Sequence, residues 1–235
     1  MIYKKSWKYI LTRDDTSYCI VFNYYKLKAL KNFSSVKRGD LGGYIKDYHN
    51  LSQTGNCWIY DNALIKENAK VTENAQISGS ALIKNNAKVS GNTIVSGRAI
   101  VYDSAQVYGN TYIGGTAKIF ENAEIFGKSR VYGNAIVTGH AKISGNARVT
   151  ENSKISGDAE VTEKAIVTGN AAVYGLTRVY GNAEIYDNAR VSGYAEIFGN
   201  AQVYGNAKIS GYTRITGNAM ISGDTSVSEF TKISK

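Results

Sequence analysis

The chain has 235 residues, with no proline, 24 glycines, two cysteines and 28 Lys/Arg against 19 Asp/Glu, a formal net charge of +9. Two cysteines without clustered histidines exclude a disulfide framework and a zinc site, and YCIVF (18–22) is far too short to cross a bilayer. The opening MIYKKSWKYILTRDD lacks the apolar core of a signal peptide, so a soluble protein of a reducing cytoplasm is expected.

The first elements are strands. WKYILT (7–12) and YCIVFNYYKL (18–27) flank the turn signal RDDT (13–16). A turn-rich connector follows over 33–52. Its GDLGG (39–43) lacks the Lys-Ser/Thr of a phosphate loop and is expected to form a turn. This first unit holds ten Lys/Arg against four Asp, a net +6, which leaves +3 for the other 183 residues. Such a basic end reads as a solvated surface, with nucleic acid the alternative partner. We expect residues 1–52 to form a small β-rich cap and connector.

A six-residue phrase occupies residues 53–235. Stepping by six from Ile59 to Ile233 gives 30 positions, all Ile or Val, and four residues after each of the first 29 sits Ala, Ser or Thr. No residue is inserted or lost in the run. Helices repeat every 3.6 residues and simple strands every two, so neither explains a period of six. A short strand plus a sharp corner does. The small and the aliphatic residue point inward, and the Gly-Asn that follows tolerates positive φ. Three strands and three corners close an 18-residue triangular coil, and coils stack at about 4.8 Å. The fold expected is an all-β, single-stranded parallel β-helix of about ten coils, roughly 48 Å long. A lone coil buries too little to offset its backbone entropy, so each depends on its neighbours and the ends need caps.

Residues 18 apart should be stacked neighbours. One outward column alternates in charge from Glu124 through Lys142, Glu160, Arg178 and Glu196 to Arg214, which reads as register control. Beside it Tyr108 should stack on Phe126, and Tyr180 on Phe198. A second face carries an apolar strip of Leu64, Leu82, Ile100, Tyr102, Phe120 and Ile136. Such a strip is either an interface, self-association first, or a surface covered by the N-terminal segment. Near the end, Phe230 in a corner slot is expected to fold over the last layer.

Catalytic signals are sparse. Histidine occurs only at His49 and His140, the latter in a corner slot usually held by Asn. Carboxylates at the glycine slot, such as Asp61, Glu67 and Glu121, pair into no acid/base dyad. No metal ligands cluster, and no cofactor is expected.

Ile197-Phe-Gly-Asn-Ala201 and its siblings resemble the bacterial hexapeptide-repeat family, which has an aliphatic first and a small fifth position. The resemblance implies a left-handed coil, a hand that periodicity alone does not give, and a trimer. SSVKRGDLGGYIKDYHNLSQTGNCWIYDNA (34–63) resembles the entry segment of YdcK-like proteins, a bacterial and phage-borne group labelled acyltransferases. That label implies acyl transfer from acetyl-CoA or another acyl-CoA, held between adjacent rods, with His140 as base. The chain departs from the enzymes of the family, whose coils are interrupted by a loop. We therefore expect a non-enzymatic rigid scaffold or protein-binding protein, with a host protein as one partner implied by the phage-borne relatives.

Overall fold

The structure is a computed structural model that describes residues 7–13 and 23–235. It is an all-β parallel solenoid. Thirty strands of two or three residues, β4 (Trp58–Ile59) to β33 (Lys232–Ser234), recur once per hexad. Wall 1 runs through β5 (Leu64–Ile65), wall 2 through β6 (Lys70–Val71) and wall 3 through β4, each strand pairing with the one three further along. Leu64 pairs with Leu82, Lys70 with Lys88 and Trp58 with Gln76, so the 18-residue coil holds throughout.

The aliphatic column lines the bore. From Ile59 to Ile221 every Ile or Val of the column is buried, as is the alternating small residue from Ala63 to Ala219. Where that small residue is Ser or Thr, its hydroxyl donates to the carbonyl three residues back, as in Thr93 to Ser90 at 2.7 Å and Ser153 to Thr150 at 2.6 Å, except at Thr111, whose hydroxyl pairs with Thr93 Oγ1 at 3.0 Å. A polar atom in the bore is thereby satisfied locally.

Corners turn on left-handed residues. Gly97 has φ +72°, and a Cβ there would stand 2.7 Å from the carbonyl oxygen of Gly115 in the next coil. Ten corners place Asp, Glu or Asn in this conformation, Glu121 at φ 57° among them. The scattered carboxylates have a structural role. Seven of them accept the backbone N–H of the residue one coil on, including Glu67 from Asn85 at 2.7 Å and Glu121 from Gly139 at 2.7 Å. A charge-assisted bond of about 1.5–3 kcal/mol offsets a left-handed cost of about 1–2 kcal/mol. Glu121→Ala keeps the strain and loses the bond, so chemical denaturation should show about 1–3 kcal/mol of destabilisation. Glu121→Gly loses both and should lie about 1 kcal/mol or more above the alanine variant.

The N-terminal segment continues wall 1. Strands β1 (Tyr9–Thr12) and β2 (Tyr25–Ala29) pair antiparallel, β2 pairs antiparallel with β3 (Leu41–Ile45), and β3 pairs in parallel with β5. Of the strand read over 18–27, residues 18–22 fall outside the described ones, and β2 covers its last three residues and runs on to Ala29. GDLGG also differs from expectation. The turn ends at Asp40, and Gly42 and Gly43 lie inside β3. They serve close approach: a Cβ on Gly42 would meet the Ile59 carbonyl at 2.6 Å, and one on Gly43 that of Ala63 at 2.5 Å.

Side chains of this segment satisfy the open edge of the first coil. Buried Asn50 donates through Nδ2 to the carbonyls of Glu67 and Ala69, both at 2.8 Å, while its Oδ1 accepts from Lys46 N and Asp47 N. Buried Lys8 donates through Nζ to the Cys57 carbonyl at 2.9 Å and approaches those of Thr54 and Gly55. Tyr9 and Phe33 close edge-on over Trp58. An edge left bare would present unpaired carbonyls to solvent or to another chain.

Candidate functional site

The expected apolar strip lies on wall 1 in successive coils. Leu64, Leu82, Ile100, Lys118 and Ile136 follow one another in register. Leu64 is buried, and Leu82, Ile100, Tyr102, Phe120 and Ile136 are half-buried. Tyr102 and Phe120 stack at 4.7 Å with rings 9° apart, and the Lys84 ammonium sits 5.0 Å over Tyr102. The described strands of the N-terminal segment extend this wall along its ladder, where Tyr44 pairs with Leu64. Tyr24 reaches the first coil, where Lys66 Nζ lies 5.3 Å over its ring. Strip residues beyond that coil keep part of their surface in solvent.

The charge column stacks in register from Glu124 to Arg214, and its C-terminal part, from Glu160 on, forms ion pairs. Arg178 bridges Glu160 at 3.5 Å and Glu196 at 3.6 Å, and Arg214 meets Glu196 at 2.7 Å. Tyr108 stacks on Phe126 at 5.2 Å and Tyr180 on Phe198 at 4.8 Å. Each pair adds about 0.5–1.5 kcal/mol beyond area burial.

One apolar feature was not recognised from the sequence. Leu176, Tyr194, Tyr212 and Phe230 all occupy the corner between walls 1 and 2, and Tyr194, Tyr212 and Phe230 stack at 4.6 and 4.9 Å. They are 46, 50, 53 and 85% exposed. Phe230 therefore continues this ladder instead of folding over the last layer. The signal was a spacing of 18 among corner slots, hidden because the residues were compared with Asn and not with one another. A shallow cleft of about 340 Å³ opens beside the ladder between Arg178, Glu196 and Arg214. On wall 3, Ile94, Tyr112 and Tyr132 are also well exposed and border an open cleft of about 570 Å³ with Arg130.

His140 stands on the same corner as that ladder, exposed, with its backbone N–H paired to Gly157 at 2.8 Å. Its ring makes no hydrogen bond or ion pair among the described residues. A general base needs an orienting partner or a substrate-sized recess beside it. Among the described residues no orienting partner is bonded to the His140 ring, and His140 lines neither of the two clefts described above. His49 is held instead in the cap, with Nδ1 3.0 Å from Asp47 and Nε2 2.9 Å from the Glu67 carbonyl. Among the described residues no group of three His, Cys, Asp or Glu is placed to hold a metal ion. None of their helices is long and apolar enough to cross a membrane.

The family described as the YdcK beta solenoid repeat matches residues 141–157. That match spans one coil, from Ala141 to Gly157. Because the coils are built alike, it agrees with a hexapeptide-repeat-like β-helix for the rest of the stack. No curated protein matches the chain.

Proposed function

We propose that the chain is a rigid, non-catalytic β-solenoid rod whose outer walls hold another macromolecule, a second copy of itself first. The observation that carries this reading is the strip on wall 1: Leu82, Ile100, Tyr102, Phe120 and Ile136 are half-exposed on a face whose backbone is fixed by ladders on both sides. Apolar patches of this kind on a preformed surface mark interfaces, and a rigid face loses little entropy on docking. Thirty hexads without insertion leave no loop to build an enclosed acyl-carrier site.

Light scattering at two protein concentrations tests the interface. Association should be seen for the native chain and lost in Leu82→Glu/Ile100→Glu, whose changes lie outside the bore. Assembly that survives both charges rules the strip out. Acyl transfer, the rival reading, rests on the YdcK-like resemblance. It requires a saturable thermal shift with acetyl-CoA that His140→Ala abolishes; we expect no shift.

A further inference from the structure

Five lysines crowd the corner between walls 1 and 2 at the N-terminal end of the rod. On wall 1, Ile45 pairs with Ile65 and Ile65 with Ile83, which sets the next residues, Lys46, Lys66 and Lys84, one above another. On wall 2, Lys70 pairs directly with Lys88. Lys46, Lys70 and Lys88 are exposed, and Lys66 and Lys84 half-exposed. None of the five makes an ion pair among the described residues. The acids along this corner are held by neighbouring backbone and amide groups: Asp47 accepts from His49 N at 2.9 Å, Glu67 from Asn85 N at 2.7 Å, and Asp103 from Asn85 Nδ2 at 2.7 Å. Like charges one coil apart repel. Farther along wall 2 the sign alternates, and basic pairs elsewhere, Arg130 on Arg148 and Arg190 on Lys208, stand as single pairs; two adjacent lysine rows at one corner suit a negative partner.

Shape selects the partner. The two rows lie on different walls and diverge from the ridge between them, where Asn68 Nδ2 donates to Asn86 Oδ1 at 3.3 Å. A flat anionic surface meets one row at a time. A groove with negative charge on both rims meets both. Ala69 N donates to the Lys66 carbonyl at 3.2 Å, a turn that keeps the Lys66 and Ala69 backbones under about 7 Å apart; Lys70 then lies within about 11 Å of Lys66, and two flexible lysine side chains reach across the ~12 Å width of a duplex major groove. Lysines act as point charges toward phosphate and do not read bases in the bidentate manner of arginine. Single strands need open rings to stack on, and here Tyr102 is covered by Lys84 and Phe120.

We propose that this corner seats double-stranded nucleic acid without sequence preference, its ridge in a groove and its two lysine rows on the two phosphate backbones. The inference takes from the proposed function only the rigidity of the walls. Fluorescence anisotropy with a labelled mixed-sequence duplex tests it. Five phosphate contacts predict an affinity that falls about 500-fold between 50 and 200 mM salt. Lys66→Gln/Lys84→Gln and Lys70→Gln/Lys88→Gln should each reduce the log–log salt slope by about two, whereas Lys142→Gln/Lys208→Gln should leave it unchanged. All three double variants should melt like the native chain by circular dichroism.

The proposal fails if the duplex does not bind, if neither row matters, or if only one does, as for a flat ligand. It fails equally if the matching single strand binds as tightly, or if poly-glutamate displaces the duplex at equal charge. Because light scattering reads the strip separately, either idea can fail alone.

Discussion

Ile125→Asp should cost more than about 4 kcal/mol and split the thermal melt of the rod into two transitions. Ile125 is fully buried on wall 2, between Val107 in the coil before and Ile143 in the coil after. A carboxylate there has no partner in the bore, and burying an unpaired charge is among the few single changes that exceed 4–5 kcal/mol. Position decides the form of the damage. In a stack whose units touch only their neighbours, stability is a sum of unit and interface terms. A charge in mid-rod removes two interfaces and leaves the flanking coils mostly intact. Circular dichroism should then show the two halves melting apart. Ile125→Ala, which leaves only a cavity, should cost about 2–5 kcal/mol, and Ile125→Val about 0.5–1.5 kcal/mol, since valine already serves at Val107 and Val131. A single transition within a few degrees of the native one for the Asp variant would show that the bore is not sealed at this coil.

The bore was legible because it is periodic. A residue type that recurs every six positions without exception specifies its own environment, and walls, corners and register followed from counting. The charge column and the pairs Tyr108–Phe126 and Tyr180–Phe198 followed from the same arithmetic at a step of 18. What repeats only along one edge was harder to see. Leu176, Tyr194, Tyr212 and Phe230 emerge only when the three corners are separated. The corner carboxylates looked like scattered surface charge because their partner is a backbone amide, which has no letter in the sequence. The N-terminal segment has no repeat to read. Gly42 and Gly43 suggested a turn by composition, yet their purpose is closeness to Ile59 and Ala63, a contact between segments that no local rule contains. The strip on wall 1 was readable as a row of side chains. The approach of Tyr24 to Lys66 beside it was not, because that contact belongs to the non-repeating segment.

Lys8→Met should loosen the N-terminal edge by about 2–3 kcal/mol while leaving mid-rod coils untouched. The Lys8 side chain is 1% exposed, with its ammonium 2.9 Å from the Cys57 carbonyl, 3.2 Å from Cys57 Sγ and 5.2 Å over the Phe33 ring. Methionine fills similar volume but donates nothing. The carbonyls of Thr54 and Gly55 can turn to water because those residues are exposed. The Cys57 carbonyl cannot, and a lost bond to a charged group costs about 1.5–3 kcal/mol. Hydrogen exchange should report faster opening at Leu30 N, which donates to the Lys8 carbonyl, and at Cys57 N, which donates to Glu73. Amides near Val131 should be unaffected. Alkaline pH adds a second signature. Burial pushes the Lys8 ammonium below its ordinary 10.5, so in the window just under 10.5 the unfolded chain holds more protons at this group and stability rises with pH. Burial pushes the Cys57 thiol above its ordinary 9.0 and the Tyr9 phenol above its ordinary 10.0. Those two contribute stability that is complete below their ordinary values and is lost as pH climbs toward their folded ones. In the native chain the lysine opposes that loss. In Lys8→Met nothing opposes it, so protection of the first coil should fall more steeply above pH 9 than in the native chain. Parallel slopes would mean that the ammonium is not buried in solution, and the edge would then have to be closed by Asn50 and Trp58 without it.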